Sequence, residues 1–187
     1  MKVERLGLGD VMLLTPPRYG DNRGFFSETW NAARAAEAGI TGTFIQDNHS
    51  MSATVGTIRG LHLQIAPSEQ GKLVRVVRGA IWDVAVDIRH GSPTYGRHVA
   101  AELSAENWQQ LWIPPGFLHG FCTLLPDTEV IYKVTGPYDR AAERGVIWND
   151  PDLALPWPVP SSGPVLSEKD TVLPRLAECP VWFRVEG

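Results

Sequence analysis

Cysteine, positive charge and long apolar runs are all scarce in this chain, and each scarcity removes a class of answer. Only two of 187 residues are cysteine, Cys122 and Cys179. Far apart, they read as buried or free thiols rather than as the disulfide framework of a secreted domain. Lysine and arginine number 17 against 21 aspartates and glutamates, a formal net charge of -4. That balance lacks the basic face that nucleic-acid binding needs. No apolar run approaches the roughly twenty residues of a membrane span. Met1-Lys2-Val3-Glu4-Arg5 lacks the apolar centre of a signal peptide, so Asn48-His49-Ser50 reads as a chance glycosylation match. The expectation is a cytoplasmic chain with no nucleic acid and no membrane as partner. What is present is an ordinary globular balance, 43% hydrophobic and 20% charged, at a length suited to one domain over 1–187.

Alternation divides the chain into many short strands. Residues 80–88 place Trp82, Val84, Val86 and Ile88 on one face and Asp83 and Asp87 on the other, which predicts a half-buried strand. Residues 72–77 form another, with Arg78-Gly79 as the tight turn between them. Further strands are predicted over 43–48, 54–61, 98–103, 111–113, 120–124 and 129–134. Helix is expected over 31–38, closed by Gly39, and Ser167-Glu168-Lys169-Asp170 reads as the capped start of a short second one. Residues 151–164 carry five prolines and predict an extended surface segment. No internal repeat or low-complexity tract occurs. Short strands at regular spacing indicate an all-β sandwich or barrel, with the jelly roll leading.

The most informative stretch is Gly56-Thr57-Ile58-Arg59-Gly60-Leu61-His62-Leu63-Gln64, followed by Gln70-Gly71-Lys72-Leu73-Val74. It sets an imidazole between two cations, on what read as two neighbouring strands. Such a grouping suits removal of a proton from carbon while negative charge develops beside a fixed cation. Downstream, Pro114-Pro115-Gly116-Phe117-Leu118-His119 matches half of the cupin signature, with the turn aiming His119 inward. The fold class is therefore read as a cupin-type double-stranded β-helix, or jelly roll, with a few short helices. A metal-binding cupin needs a second histidine where this chain has Gln64, a poor ligand for a transition metal, so no metal and no cofactor is expected.

Further motifs fall in order: Asp21-Asn22-Arg23-Gly24-Phe25-Phe26-Ser27-Glu28, Gln46-Asp47-Asn48-His49-Ser50, Asp83 to Arg89, Ser92-Pro93-Thr94-Tyr95-Gly96, and Tyr132-Lys133. With those above, the set resembles the dTDP-4-dehydrorhamnose 3,5-epimerases, metal-free cupins of deoxysugar biosynthesis, over roughly residues 10–175. Leu63 departs from the aromatic residue that many members carry there. The resemblance implies inversion at C3 and C5 of dTDP-4-dehydro-6-deoxy-D-glucose on the way to dTDP-L-rhamnose, a precursor used in lipopolysaccharide or O-antigen. It implies His62 as base, Asp170 as the carboxylate behind it, Lys72 beside the C4 oxygen and Tyr132 as the acid on the opposite face. Arg23 and Arg59 are implied for the diphosphate and Tyr138 for stacking on thymine, with Phe25 nearby. Glu28, Gln46, Asn48, Glu143 and Lys169 supply polar contacts, and His119 lines the pocket as a hydrogen-bonding partner. Members are homodimers in which the N-terminal part of one subunit completes the other's site; seven tryptophans are compatible with a buried dimer surface.

Plainer readings stand beside each role. His62 could be a satisfied core histidine, as could His49, His90 and His98 where they are not at the surface. Tyr132 could be one more barrel aromatic, Asp170 a helix cap, and Arg23 and Glu28 part of a solvated turn. Rival functions are a single 3- or 5-epimerase or ketoisomerase, a metal-dependent cupin oxygenase, and a non-catalytic sugar-nucleotide-binding cupin. Gln64 separates the oxygenase from the others. Dialysis against EDTA is expected to leave turnover of a dTDP-4-keto sugar unchanged, with no stoichiometric metal by elemental analysis. A metal whose removal stops turnover and whose return restores it would contradict the reading.

Overall fold

The computed structural model describes residues 1–185, so Glu186 and Gly187, the end of the expected domain, lie outside the described residues. In chain order the first strands are β1 (Lys2–Arg5), β2 (Met12–Thr15), β3 (Tyr19–Asp21), β4 (Gly24–Phe26), β5 (Gln46–Ser52), β6 (Ile58–Gln64), β7 (Lys72–Arg78) and β8 (Ala80–Asp87). They are followed by β9 (Arg89–His90), β10 (His98–Ser104), β11 (Gln110–Ile113), β12 (Phe117–Thr123), β13 (Thr128–Val134), β14 (Glu143–Gly145) and β15 (Phe183–Arg184). The helices are α1 (Ala32–Glu37) and α2 (Glu168–Thr171), with one 3-10 turn at Leu176–Glu178.

A six-stranded sheet, ordered β1-β2-β11-β7-β13-β5, faces a five-stranded sheet, ordered β10-β8-β12-β6-β14. From β5 to β8, and again from β10 to β14, successive strands alternate between the sheets, which is the winding of a cupin-like jelly roll. This corrects one expectation. β6 and β7 are not neighbours in one sheet; they face each other across the interior, because residues 65–71 carry the chain from one sheet to the other. The tight turn expected at Arg78-Gly79 is present, with Gly79 at φ +79 turning β7 into a strand of the opposite sheet.

The half-buried reading of residues 80–88 is also corrected. Val84 and Val86 pack outward with Leu61, Leu63 and Leu118 under Val146, Leu153 and Trp157, while Ile81 and Ala85 pack inward with Val74, Leu111 and Phe121. Asp83 and Asp87 share the inward parity and are 0% exposed. Residues 151–164 accordingly do more than run over the surface. Leu153 is buried, and Trp157 meets Trp82 edge-on at 5.0 Å, sealing the five-stranded sheet's outer face.

Some boundaries move as well. β5 covers Gln46–Ser52 rather than 43–48, β6 Ile58–Gln64 rather than 54–61, and β12 begins at Phe117 rather than 120. The outer strands β1, β3 and β4 are exposed throughout and carry no alternation to reveal them. Helix α1 forms as expected, capped by Asn31 Oδ1, which accepts from the Arg34 N–H at 3.2 Å, and ended by Gly39 at φ +89. It covers the outer face of the six-stranded sheet with Met12, Leu14, Leu73, Trp30 and Trp112. The tryptophans named here are spent inside the chain; the large exposed aromatics among the described residues are Tyr19, Phe25, Phe26, Tyr95 and Tyr138.

β6 and β12 approach closely at paired glycines. A Cβ on Gly60, whose φ is +120, would lie 2.6 Å from both the Gly120 Cα and the His119 carbonyl oxygen. This contact holds His62 directly opposite His119 in the ladder. Gly60→Ala adds overpacking against backbone to a disfavoured φ, together about 3 kcal/mol. The expected result is a Tm lower by on the order of 10 °C. An unchanged thermal midpoint by calorimetry would show that the two strands have room to separate.

Candidate active site

Both sheets contribute to one interior cluster. His62 comes from β6 and His119 from β12, while Lys72 and Tyr132 come from β7 and β13 in the facing sheet. Each occupies an inward position of its strand. Together with Arg59, Phe121, Lys169 and Asp170 they line a cavity of about 380 Å³, and His62, Lys72 and Tyr132 also border an adjoining one of about 270 Å³. A single cleft of two lobes therefore runs past these three side chains.

Asp170 lies in α2, where Ser167 caps the helix by accepting from the Asp170 N–H. The cap belongs to Ser167 and frees the carboxylate for another use. Its Oδ1 accepts from His62 Nε2 at 2.6 Å, with the Asp170 side chain only 5% exposed. Burial pushes this carboxyl up, but the His62 hydrogen bond and charge, the Ser167 bond and Lys169 outweigh burial and hold it below the usual aspartate range. An ionised Asp170 keeps the proton on Nε2, leaving the Nδ1 lone pair of His62 as the basic atom.

Lys72 donates to the His62 carbonyl oxygen at 3.4 Å. Burial brings its pKa down to about 8, against the opposing charges of Asp83 and Glu143. Tyr132 is pushed up by burial, with Arg59 pulling down and Glu143 up, so its phenol stays protonated through neutral pH. His119 Nε2 meets Asp83 Oδ1 at 2.7 Å; burial lowers its pKa despite that carboxylate, and Lys72 and His62 lower it further. A base, a cation and a neutral O–H acid thus surround one space, an arrangement able to move protons at carbon beside a carbonyl.

A second group closes the cleft on the β5 side. Tyr138 O–H donates to Glu143 Oε2 at 3.3 Å, Lys169 Nζ to Glu143 Oε1 at 2.6 Å, and the Tyr138 N–H to Gln46 Oε1 at 3.4 Å. Gln46 in turn donates to Asn48 Oδ1 at 2.8 Å. Arg59 donates to Ser52 Oγ and the Met51 carbonyl at the cavity edge. Gln64 is buried, its amide donating to the Ser68 and Pro137 carbonyls and its oxygen accepting from the Asp139 N–H at 2.7 Å. Those bonds commit Gln64 to pinning loops together.

Three expected residues lie elsewhere. Arg23 forks onto Asp21 at 2.6 Å and is 84% exposed. Phe25 packs edge-on against Trp108 at 4.9 Å, beneath Arg18. Glu28 pairs with Arg34 at 2.9 Å. All three belong to the β3–β4 region, and within this chain they do not reach the cleft. Of the remaining histidines, His49 pairs with Glu129 at 3.0 Å and His90 packs on Tyr95, both away from the cavity. Asp83 is the site residue that alternation hid: an inward position looks like an outward one until the facing sheet is in place.

Residues 5–178 match the family model described as dTDP-4-dehydrorhamnose 3,5-epimerase. The chain is 50% identical over 188 residues to the dTDP-4-dehydrorhamnose 3,5-epimerase of Sinorhizobium fredii, covering 98% of this chain and 94% of the relative. The Bacillus anthracis dTDP-4-dehydrorhamnose 3,5-epimerase, solved with TDP and PPi bound, superposes with TM-score 0.89 at 50% identity, covering 93% of this chain and 98% of that one. The Legionella pneumophila dTDP-6-deoxy-D-glucose-3,5-epimerase, solved in complex with dTDP-4-keto-L-rhamnose, superposes with TM-score 0.95 at 41% identity, over 100% of this chain and 99% of that one.

Lys72 makes the site sensitive to alkali. Its ammonium is lost as pH rises through about 8, whereas Tyr132 titrates above its ordinary 10.0 and Cys122 near 11. The pH–rate profile is expected to fall above about 8, and Lys72→Arg, which stays charged, to remove that limb while lowering the rate. A limb that persists in Lys72→Arg would assign it to another group. Stability moves the opposite way: between about 8 and 10.5 the unfolded lysine holds more proton than the folded one, so folding strengthens as pH rises.

Proposed function

The chain belongs to the dTDP-4-dehydrorhamnose 3,5-epimerase family, and we propose that His62 is the one base that serves both of its reacting carbons. The enzyme is an isomerase that inverts C3 and C5 of dTDP-4-dehydro-6-deoxy-D-glucose, giving dTDP-4-dehydro-L-rhamnose for dTDP-L-rhamnose biosynthesis. Both carbons flank the C4 ketone, so one base and one oxyanion stabiliser can act on each in turn. The observation that carries the assignment is the His62–Asp170 pair at 2.6 Å, set in one cavity with Lys72 and Tyr132.

His62 Nδ1 takes the proton from carbon, and the imidazolium that forms is stabilised by the Asp170 carboxylate through Nε2–H. Charge moves to the C4 oxygen, where the Lys72 ammonium offsets it, an effect typically worth about 3 kcal/mol. Inversion requires a proton from the other face. Tyr132 O–H supplies it, and the charge of Arg59 eases the phenolate left behind. Before the second carbon reacts, His62 releases its proton to solvent and Tyr132 takes one up, so both groups are reset with no net gain or loss of protons.

The nucleotide end falls to the Gln46–Tyr138–Glu143–Lys169 group and Arg59, with Tyr138, 58% exposed, offering a face for thymine. Arg23, Phe25 and Glu28 belong to the same reading through a second copy of the chain. The β3–β4 hairpin projects Tyr19, Phe25 and Phe26, 62%, 56% and 70% exposed, which supports a homodimer in which this hairpin completes the neighbour's cleft. Cytoplasmic placement is supported by the free Cys122 and Cys179; among the described residues no helix is long and apolar enough to cross a membrane.

The test is NMR in deuterium oxide with the dTDP-4-keto sugar. The parent protein is expected to exchange and invert both C3 and C5. Tyr132→Phe should still wash deuterium into the substrate with configuration retained, while inverted product falls by about 10²–10⁴. Inversion of both centres at the parental rate by Tyr132→Phe would make Tyr132 a packing residue.

A further inference from the structure

Asp83 is fully buried inside the barrel, and no step above uses it. Its Oδ1 receives the His119 N–H at 2.7 Å, while its Oδ2 is buried with no hydrogen-bond partner among the described residues. An ionised oxygen held away from water without a partner is costly unless a nearby positive charge depends on it. Lys72, which lines the same cavity as Asp83's partner His119, is the buried cation whose ammonium the Asp83 charge favours. It faces His62 on β6, His119 on β12, Tyr132 on β13 and Asp170 on α2, and Arg59 and Lys169 add like charge around the same cavity. The two carboxylates that favour its ammonium are Asp83 on β8 and Glu143 on β14. Glu143 is already engaged by Lys169 and Tyr138 and is 22% exposed, whereas Asp83 is unscreened at 0%.

We propose, resting on the function read above, that Asp83 is the positioning residue of the enolate-stabilising side of this site: Oδ1 fixes His119 as its Nε2–H tautomer, and Oδ2 keeps Lys72 an ammonium. The two effects act through different atoms of one carboxylate. With Nε2–H spent on Asp83, His119 has only the Nδ1 lone pair to offer. It therefore accepts a hydrogen bond from a sugar hydroxyl and is not an acid, which leaves reprotonation to Tyr132. The opposing pulls on Lys72 also gain a purpose. Burial strengthens its attraction for the enolate oxygen, and Asp83 prevents that burial from discharging it.

Asp83→Asn keeps the shape and removes the charge. The alkaline limb of kcat is expected to move from about 8 to about one unit lower, so that kcat at pH 8 falls about fivefold with KM changed less than about threefold. A variant with its limb still near 8 would overturn the proposal, even if its Tm fell, because loss of packing alone does not move that limb. If Asp83→Asn fails to fold, the parent protein gives the readout. The carboxylate carbon of Asp83, followed by carbon-13 NMR, should show an inflection near pH 8 that disappears in Lys72→Met, and His119 should remain an Nε2–H tautomer from pH 5 to 9. A flat Asp83 signal, or a protonated His119, would overturn it. Parental turnover by Lys72→Met would instead defeat the reading of the active site, a separate outcome from an unmoved limb in Asp83→Asn.

Discussion

The close approach of β6 to β12 at Gly60 and Gly120 governs the rest of this molecule. Two strands that nearly touch backbone to backbone bring His62 and His119 into register as a facing pair. Lys72 and Tyr132 then meet them from the other sheet, since β7 and β13 are adjacent in it and lie across the interior. A side chain at either glycine would prise the strands apart and move His62 away from Lys72 and Tyr132. A positional change of 1 Å at that distance can cost about a hundredfold in rate.

Given that frame, the electrostatics are those of a preorganised pocket. Below the cluster the interior is apolar, packed from Val74, Val76, Ile81, Leu111, Phe121 and Val130. Water is displaced there, so the charges act on one another strongly. Each histidine has its own carboxylate, Asp170 for His62 and Asp83 for His119, yet the environments differ. Asp170 reaches in from a helix at the open side, and His62 remains 25% exposed to the cavity. The Asp83 pair is sealed between the sheets, which suits orientation rather than proton traffic.

Several parts of this were legible in the residues themselves. The sequence Asn31 to Gly39 names a cap, a helix and a stop, all local signals, and α1 follows it. The capping start at Ser167 likewise announced α2. His62 and Lys72 stood out because cations around an imidazole are chemically unusual whatever the fold. Strands β1, β3 and β4 escape the alternation because they are exposed, and period-two hydrophobicity records burial rather than hydrogen bonding. Alternation misplaces Asp83 and Asp87 for a related reason: it distinguishes two faces of a strand but does not say which of them meets water.

By itself, the sequence determined the all-β class, both helices, His62 and Lys72 as candidates for base and cation, and Gln64 in place of the second cupin histidine, because each follows from side-chain chemistry or from signals within a few residues. Only the tertiary structure decided that β6 and β7 oppose rather than adjoin, since sheet membership depends on how the chain crosses between layers. It also decided that Asp170 is partner to His62 as well as a member of α2, and that Arg23, Phe25 and Glu28 lie outside this chain's own cleft. Contacts spanning 108 residues, as between His62 and Asp170, are made by the closed barrel and have no local signature.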